Sequence, residues 1–343
     1  MKAYQLVEPG RAELTDVDVP SPGPGQVLLR VAGCGVCHSD LHLLHAASGL
    51  PYPMTLGHEP AGTVAELGAD VRGWEVGQGV VGYIVWGCGV CRRCAEGAEN
   101  ACERFPRGLV PGPGLGFPGA MAEYMVAPAR SLVPLGGLDP VEAAPLADAG
   151  LTPYHAIDRC RALLTPAATA VVIGVGGLGH MAVQILRAVT GSRIVAVDLD
   201  PARLATAGGY GADETVLSDG DAAGRVLELT KGVGADVVLD FVGAGPTLSL
   251  AAAAVSSYGQ VVVVGLAGGT LAFPAASPPQ GLPWGAAVVK PYAGTRRDLH
   301  EVLALARQGR IRARVERRPL AEAASVLSEL ESGAIEGRAV LTP

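Results

Sequence analysis

Charge is scarce in this 343-residue chain. Only 17% of residues are charged, 33 acidic against 26 basic, and no basic block interrupts the sequence. A nucleic-acid backbone or an anionic membrane surface finds no complementary patch, so neither is an expected partner. Lysine is nearly missing, three residues beside 23 arginines, a bias of genome composition to which no function is assigned. The first residues carry Lys2, Glu8, Arg11 and Glu13 and lack an apolar signal core, which predicts a soluble, cytoplasmic protein. No internal repeat is present. Disorder is excluded by an apolar content of 49%. The length predicts two domains.

One charge-free run, between Arg161 and Arg187, is long enough in principle to span a bilayer. It contains Pro166 and the cluster Gly174, Gly176, Gly177 and Gly179, and fits a buried strand, a glycine turn and a helix better. The first 150 residues are rich in Gly and Pro, with short apolar runs at 26–32 and 80–85. They read as a mostly β domain with long loops. From about Thr165, β-branched runs at 170–173, 193–197, 235–240 and 260–264 alternate with helical-period segments at 179–190, 201–207 and 246–257. That alternation predicts a parallel sheet covered on both faces. After Pro283 come a strand-like 286–289, helices at 296–307 and 321–331, and a last strand at 337–341.

Ala170-Val171-Val172-Ile173 runs into Gly174-Val175-Gly176-Gly177-Leu178-Gly179 and then a helix. Glycines there let backbone N–H groups approach a pyrophosphate at the helix N-terminus. Nineteen residues after Gly179, Asp198 ends the next strand. A carboxylate there hydrogen-bonds ribose hydroxyls and repels a 2′-phosphate, which favours NAD over NADP. Arg203, five residues on, softens that preference. Val242 and Val264 are assigned to the same cofactor site.

Seven cysteines is an odd number, and six lie in two tight groups. Cys88, Cys91, Cys94 and Cys102 can close a tetrahedron around Zn²⁺ with no open position, the pattern of a structural site. A zinc ribbon on nucleic acid would show the same cysteines, but the loop holds only two basic residues. The second group is looser: Cys37-His38-Ser39-Asp40-Leu41-His42, then Gly57-His58-Glu59. Its residue types suit a catalytic zinc that keeps one position for water or substrate. Spacing alone leaves His38, His42, His45, His58, Asp40 and Glu59 open as ligands. Cys34 and Cys37 could also form a redox dithiol, but the strand–CxxC–helix setting is absent.

Together these motifs resemble the zinc-containing alcohol dehydrogenases of the medium-chain dehydrogenase/reductase superfamily. Gly57-His58-Glu59-x-x-Gly62, with Gly68 and Val71 following, and the four-cysteine lobe at 88–102 carry the resemblance, which covers essentially the whole chain. It implies an α/β protein in which a GroES-like, mostly-β catalytic domain (1–150) joins a Rossmann, doubly wound parallel-sheet domain (151–285). Residues 286–343 then return to the catalytic domain. It also sorts the ligands: Cys37 and His58 match two catalytic-zinc ligands. Asp148 stands where many members have a cysteine, as in a bacterial subgroup of secondary-alcohol dehydrogenases. Glu59 becomes an outer or exchanging ligand, and Asp40 orients His58. Ser39 matches the hydroxyl that meets the alcohol oxygen, and His42 the relay that passes its proton towards solvent. His38, Thr152 and Arg338 match cofactor contacts, Arg338 at the pyrophosphate and Thr152 at the nicotinamide.

The resemblance implies two zinc ions per chain, NAD as cofactor, and a small-molecule alcohol or ketone as substrate. It also implies a homo-oligomer, a tetramer favoured over a dimer. Tyr52, Trp86, Trp284 and Tyr292 are candidate pocket residues that favour a hydrophobic secondary alcohol. A polyol or amino-alcohol dehydrogenase is the nearest alternative. A non-catalytic cofactor-binding relative would be expected to lose Cys37, His58 or Ser39, and all three are present.

Overall fold

A computed structural model describes residues 1–45, 51–105, 110–272, 274 and 282–343 of the chain. They form two compact units, Met1–Leu151 with Thr295–Pro343, and Thr152–Gly294.

The first unit is built on antiparallel strands. In chain order it holds β1 (Lys2–Glu8), β2 (Arg11–Asp16), β3 (Gln26–Gly35), helix α1 (His38–His45), β4 (Met54–Thr55), β5 (Glu59–Leu67), β6 (Gly79–Gly82), β7 (Tyr124–Pro128) and β8 (Leu132–Pro134). The second unit contributes β9 (Thr169–Ile173), α2 (Gly179–Val189), β10 (Arg193–Asp198), α3 (Pro201–Tyr210), β11 (Glu214–Leu217), α4 (Ala222–Leu229), β12 (Ala235–Asp240), α5 (Gly245–Ala254), β13 (Val255–Val263) and β14 (Ala287–Val289). The chain then returns to the first unit with α6 (Arg296–Arg307), β15 (Val315–Pro319), α7 (Ala323–Glu331) and β16 (Arg338–Thr342).

The main sheet of the first unit runs β8-β6-β5-β3-β16-β15, with β7 also on β3. Its core joins Leu29, Met54, Leu56 and Met121 to Val326 and Leu341, so the C-terminal segment is part of the same hydrophobic cluster as the N-terminal strands. Register places the later site. Gly35 of β3 pairs with Glu59 of β5 on one side and Val340 of β16 on the other. A Cβ on Gly35 would lie 1.8 Å from Glu59 Oε2, so only glycine leaves room for that carboxylate.

The second unit is a six-stranded parallel sheet, β11-β10-β9-β12-β13-β14. The central strands are buried on both faces, as near-continuous Val, Ile and Leu runs require. From β9 the chain winds outward to β11, then returns to β12 and winds the other way. The reversal opens a crevice at the carboxyl ends of β9 and β12, where such sheets bind ligands.

Two expectations are corrected and two elements are added. Residues 286–289 do not begin the returning segment: β14 pairs in parallel with β13, Gln260 opposite Ala287, and the return starts at Thr295. The helix expected over 246–257 stops at Ala254, because Val255 enters the extended strand that carries on to Val263. β11 and α4 escaped notice because β11 is an edge strand with one buried residue of four and shows no clear apolar pattern.

Candidate functional site

Two cysteine-containing clusters lie in the first unit. In the first, β3 ends at Gly35 and α1 begins at His38, which leaves Cys37 in the turn between them. Asp40, fully buried in the first turn of α1, accepts from the Cys37 backbone N–H at 3.0 Å through Oδ2. Its Oδ1 lies 3.3 Å from His58 Nδ1. One carboxylate thus fixes the cysteine loop and turns the histidine so that Nε2 points away from it. His58 follows Gly57, whose φ of 96° and proximity to the Met121 backbone N exclude a side chain. Asp148 caps the 3₁₀ turn Ala144–Ala147 and brings Oδ2 to 3.4 Å from Cys37 Sγ and 3.6 Å from His58 Nε2.

Cys37, His58, Glu59 and Asp148 are all buried, and one ligand atom from each lies within 4.8 Å of the others. His58 Nε2 and Glu59 Oε2 are buried without a hydrogen-bond partner. Orphaned buried polar atoms are costly, and these two converge on the space between a thiol and a carboxylate. A divalent zinc ion fits that donor set: two anions from Cys37 and Asp148 and a neutral imidazole. Glu59 is balanced separately by the Arg338 guanidinium, with which it forms a buried ion pair. Burial pushes the Glu59 carboxyl up and Asp148 adds to the push, while the Arg338 charge pulls it back down.

Burial opposes a charge on His58, but the Asp40 charge outweighs it, with the Asp148 carboxylate 3.6 Å from Nε2 adding to the pull, and the imidazole is held well above 6.5. In the metal-free protein this stabilises the fold fully below pH 6.5, the unfolded value, and the gain is lost as pH rises through the raised folded value. A metal must displace that proton. The gap between zinc-loaded and metal-free thermal midpoints is therefore expected to widen from pH 6 towards pH 9. Scanning calorimetry across that range checks it, and a constant gap contradicts it.

The second cluster is Cys88, Cys91, Cys94 and Cys102, again within 4.8 Å of one another and none in a disulfide. Two Sγ–Sγ pairs, Cys88–Cys94 and Cys91–Cys102, are 3.9 Å apart. A tetrahedron with Zn–S of about 2.3 Å has edges of about 3.8 Å, so the sulfurs stand where a structural zinc needs them. Backbone N–H groups of Val90 and Cys91 pull the Cys88 thiol down to about 6, while burial pushes Cys94 up to about 12. Arg130 anchors the lobe by donating to the Gly87 carbonyl at 2.6 Å.

In the second unit, β9 ends in the glycine turn. Gly174 has φ of 85°, and a Cβ there would lie 2.6 Å from Val242 Cγ2 across the crevice. A Cβ on Gly179 would lie 1.7 Å from the Gly174 carbonyl oxygen, so α2 can start this close to β9 only with glycine. Asp198, at the end of β10, accepts from Val175 N at 2.6 Å with Oδ2 and from Asp200 N at 2.9 Å with Oδ1. Each oxygen keeps a second lone pair for a ribose hydroxyl. Leu199 is exposed, and Arg203 reaches back so that Nη1 lies 3.6 Å from where a Gly176 Cβ would be. Val264 donates its N–H to the Asp240 carbonyl at 2.8 Å. A dinucleotide fits this bare glycine cradle.

The remaining sequence-derived residues are placed as follows. Ser39 is half-buried, its Oγ 3.8 Å from Cys37 Sγ; His42 follows one turn later on α1 and is exposed, as is His38. Thr152 is buried at the start of the second unit. Arg338, matched above to the pyrophosphate, instead turns its guanidinium to Glu59 and is itself buried; a buried cation needs such a partner. Cys34 is buried, which pushes its thiol up and leaves it inert. Tyr52 and Trp86 pack against the first unit's core, and Trp284 is exposed beside the outer strands of the second.

Sequence reasoning missed Asp240. It is fully buried at the end of β12, accepts from Val242 N, Gly243 N and Thr247 Oγ1 at 2.8–3.0 Å, and shapes the far wall of the crevice. The signal was available: an acid closing an apolar β-branched strand, as at Asp198.

Residues 23–137 match the family described as Alcohol dehydrogenase GroES-like domain, and residues 177–308 the family described as Zinc-binding dehydrogenase. A curated relative, the NAD-dependent alcohol dehydrogenase of Sulfurisphaera tokodaii, is 36% identical over the full length of both chains. The D-arabinose 1-dehydrogenase (NADP(+)) of Saccharolobus solfataricus is 34% identical, over 96% of this chain and 94% of that protein. Among solved structures, acetophenone reductase from Geotrichum candidum in complex with NAD superposes with a TM-score of 0.88 at 34% identity, covering 100% of this chain and 97% of that one.

Proposed function

The chain belongs to the zinc-containing alcohol dehydrogenases of the medium-chain dehydrogenase/reductase superfamily, and from that premise we propose that it interconverts a hydrophobic secondary alcohol and its ketone with NAD. The observation that carries the reading is the buried convergence of Cys37 Sγ, Asp148 Oδ2 and the unpartnered His58 Nε2. Those three residues would hold the catalytic zinc, the four-cysteine lobe a structural one, and the glycine turn with Asp198 the dinucleotide. Bound there, the metal supplies Lewis acidity and the nicotinamide a place for the hydride.

The protein's own residues do the rest. Asp40 holds His58 in the tautomer with a proton on Nδ1, which keeps Nε2 available as a donor. The half-buried Ser39 hydroxyl relays the alcohol's proton, accepting it as its own O–H proton passes on towards His42. His42, one turn along α1 and exposed, hands it to water. Glu59 and Arg338 neutralise each other behind the ligands, so the electrostatics at the reacting carbon are set by the ligand set. His38, Thr152, Arg203, Val242 and Val264 are assigned to cofactor contacts, with Gly174, Gly176, Gly177, Leu178 and Gly179 as the phosphate turn.

Exposed Trp284, Tyr258 and Val288 near the outer edge of β14 support assembly with further copies of the chain, a tetramer by the family resemblance. No helix among the described residues is long and apolar enough to cross a membrane. A cytoplasmic location is proposed on the sequence reading.

A second reading, oxidation of a sugar or other polyol with NADP, is favoured by the arabinose dehydrogenase relative and by Arg203 beside the glycine turn. Nicotinamide absorbance separates the two. Turnover of 1-phenylethanol with NAD, faster than with a matched primary alcohol and abolished by a chelator, is the expected result. Turnover of polyols alone, or with NADP alone, supports the second reading.

A further inference from the structure

The glycine turn is held by two side chains from outside it, Asp198 and a histidine that the function described above does not use. We propose that His180 is a positioning residue that presets the Gly176–Gly177 peptide for the cofactor pyrophosphate. The Gly176 carbonyl oxygen accepts twice from this one residue, from the His180 backbone N–H at 3.1 Å and from ring Nδ1 at 2.9 Å. A carbonyl only accepts, so Nδ1 carries the proton. The ring is 2% exposed and lies 5.6 Å, centroid to centroid, from the Tyr210 ring of α3, which stops it from swinging away.

The consequence follows from peptide geometry. In a trans peptide the C=O and the next N–H point in opposite directions. Holding the Gly176 oxygen towards α2 therefore turns the Gly177 N–H away from it, outward from the turn. Just before it, Asp198 holds the Val175 N–H at 2.6 Å, and Gly174 N–H is taken by the Val197 carbonyl at 2.8 Å. Among the described residues no acceptor takes the N–H of Gly177 or Leu178. Asp198 and His180 thus pin the turn immediately ahead of the Gly177 and Leu178 N–H groups, which remain available to an anion. The pin is needed because Gly176 and Gly177 carry no side chain to restrict the peptide between them. Unpinned, that peptide could present its carbonyl oxygen to the phosphates. Preorganisation of this kind shows as affinity.

This rests on the turn being the dinucleotide site, and the test separates the two claims. NADH affinity is titrated by fluorescence for wild type, His180→Asn, His180→Gln and His180→Phe, with thermal midpoints recorded alongside. Asparagine places its amide nitrogen where Nδ1 stands, glutamine reaches beyond it, and phenylalanine keeps the ring beside Tyr210 without a donor. His180→Asn is expected within about threefold of wild type, and the other two about tenfold weaker, the size of one hydrogen bond. In turnover the loss falls mainly on KM for NAD rather than on kcat. Affinity is expected to follow the donor, whatever order the thermal midpoints take. If His180→Phe does not fold, the Asn–Gln pair decides. Wild-type affinity in His180→Gln, or His180→Asn as weak as His180→Gln, overturns the role of His180 while leaving the site intact. Absence of NADH binding by wild type overturns the dinucleotide reading and His180 with it.

Discussion

His58→Ala is expected to lower alcohol-dependent NAD reduction about a thousandfold or more, a loss of roughly 4 kcal/mol at the barrier, and to remove one of about two zinc ions per chain. The size follows from what the imidazole does. It is the only nitrogen donor in the cluster, its Nε2 has no hydrogen-bond partner, and Asp40 fixes its direction at 3.3 Å. Without it Cys37 Sγ and Asp148 Oδ2 face each other at 3.4 Å. A catalytic zinc takes three protein ligands, and these two alone do not hold it. The four-cysteine lobe draws on none of these residues, so its zinc stays. Metal analysis and absorbance assays on one preparation check both halves. Loss of both metals, or near-normal turnover, would show that His58 is not a ligand.

Cys102→Ala is expected to release the other zinc and lower the thermal midpoint by roughly 10 °C, with limited proteolysis cutting inside residues 88–105. Binding free energy at a structural zinc site is folding free energy, because the unfolded chain has no such site. Here little else holds the lobe. From Cys88 to Phe105 only Cys94 and Cys102 are buried, and the segment contributes a single turn of α-helix and a short 3₁₀ turn. Its sulfurs take the place of an apolar core. An unchanged thermal midpoint after removal of Cys102 would mean that the lobe is held by packing, and that the 3.9 Å sulfur spacing is incidental.

The sequence made the chemistry more legible than the geometry behind it. The strand, glycine turn and helix at 169–189 and the four-cysteine spacing are local signals, so pattern alone locates them. The pairing of Gly35 with Glu59 is not local. It depends on the register of β3 against β5, and nothing near residue 35 announces that a carboxylate needs that space. The partnership of Glu59 with Arg338 spans 279 residues and exists because β16 returns beside β3. Asp148 and His58 likewise meet only once the chain has folded. The boundary near residue 286 was misplaced because β14 is short and exposed on one edge, so its membership in the parallel sheet rests on pairing with β13 rather than on its own composition.

The central claim is that the Cys37–His58–Asp148 site makes this protein a zinc-dependent alcohol dehydrogenase. The most direct test strips the more labile metal with a chelator, confirms by NADH titration that the dinucleotide site still binds, and adds zinc back in steps. Alcohol-dependent NAD reduction is expected to vanish on stripping and to return in proportion to zinc bound, with His58→Ala failing to recover. Undiminished turnover in the stripped protein, with NADH binding intact, would contradict the account.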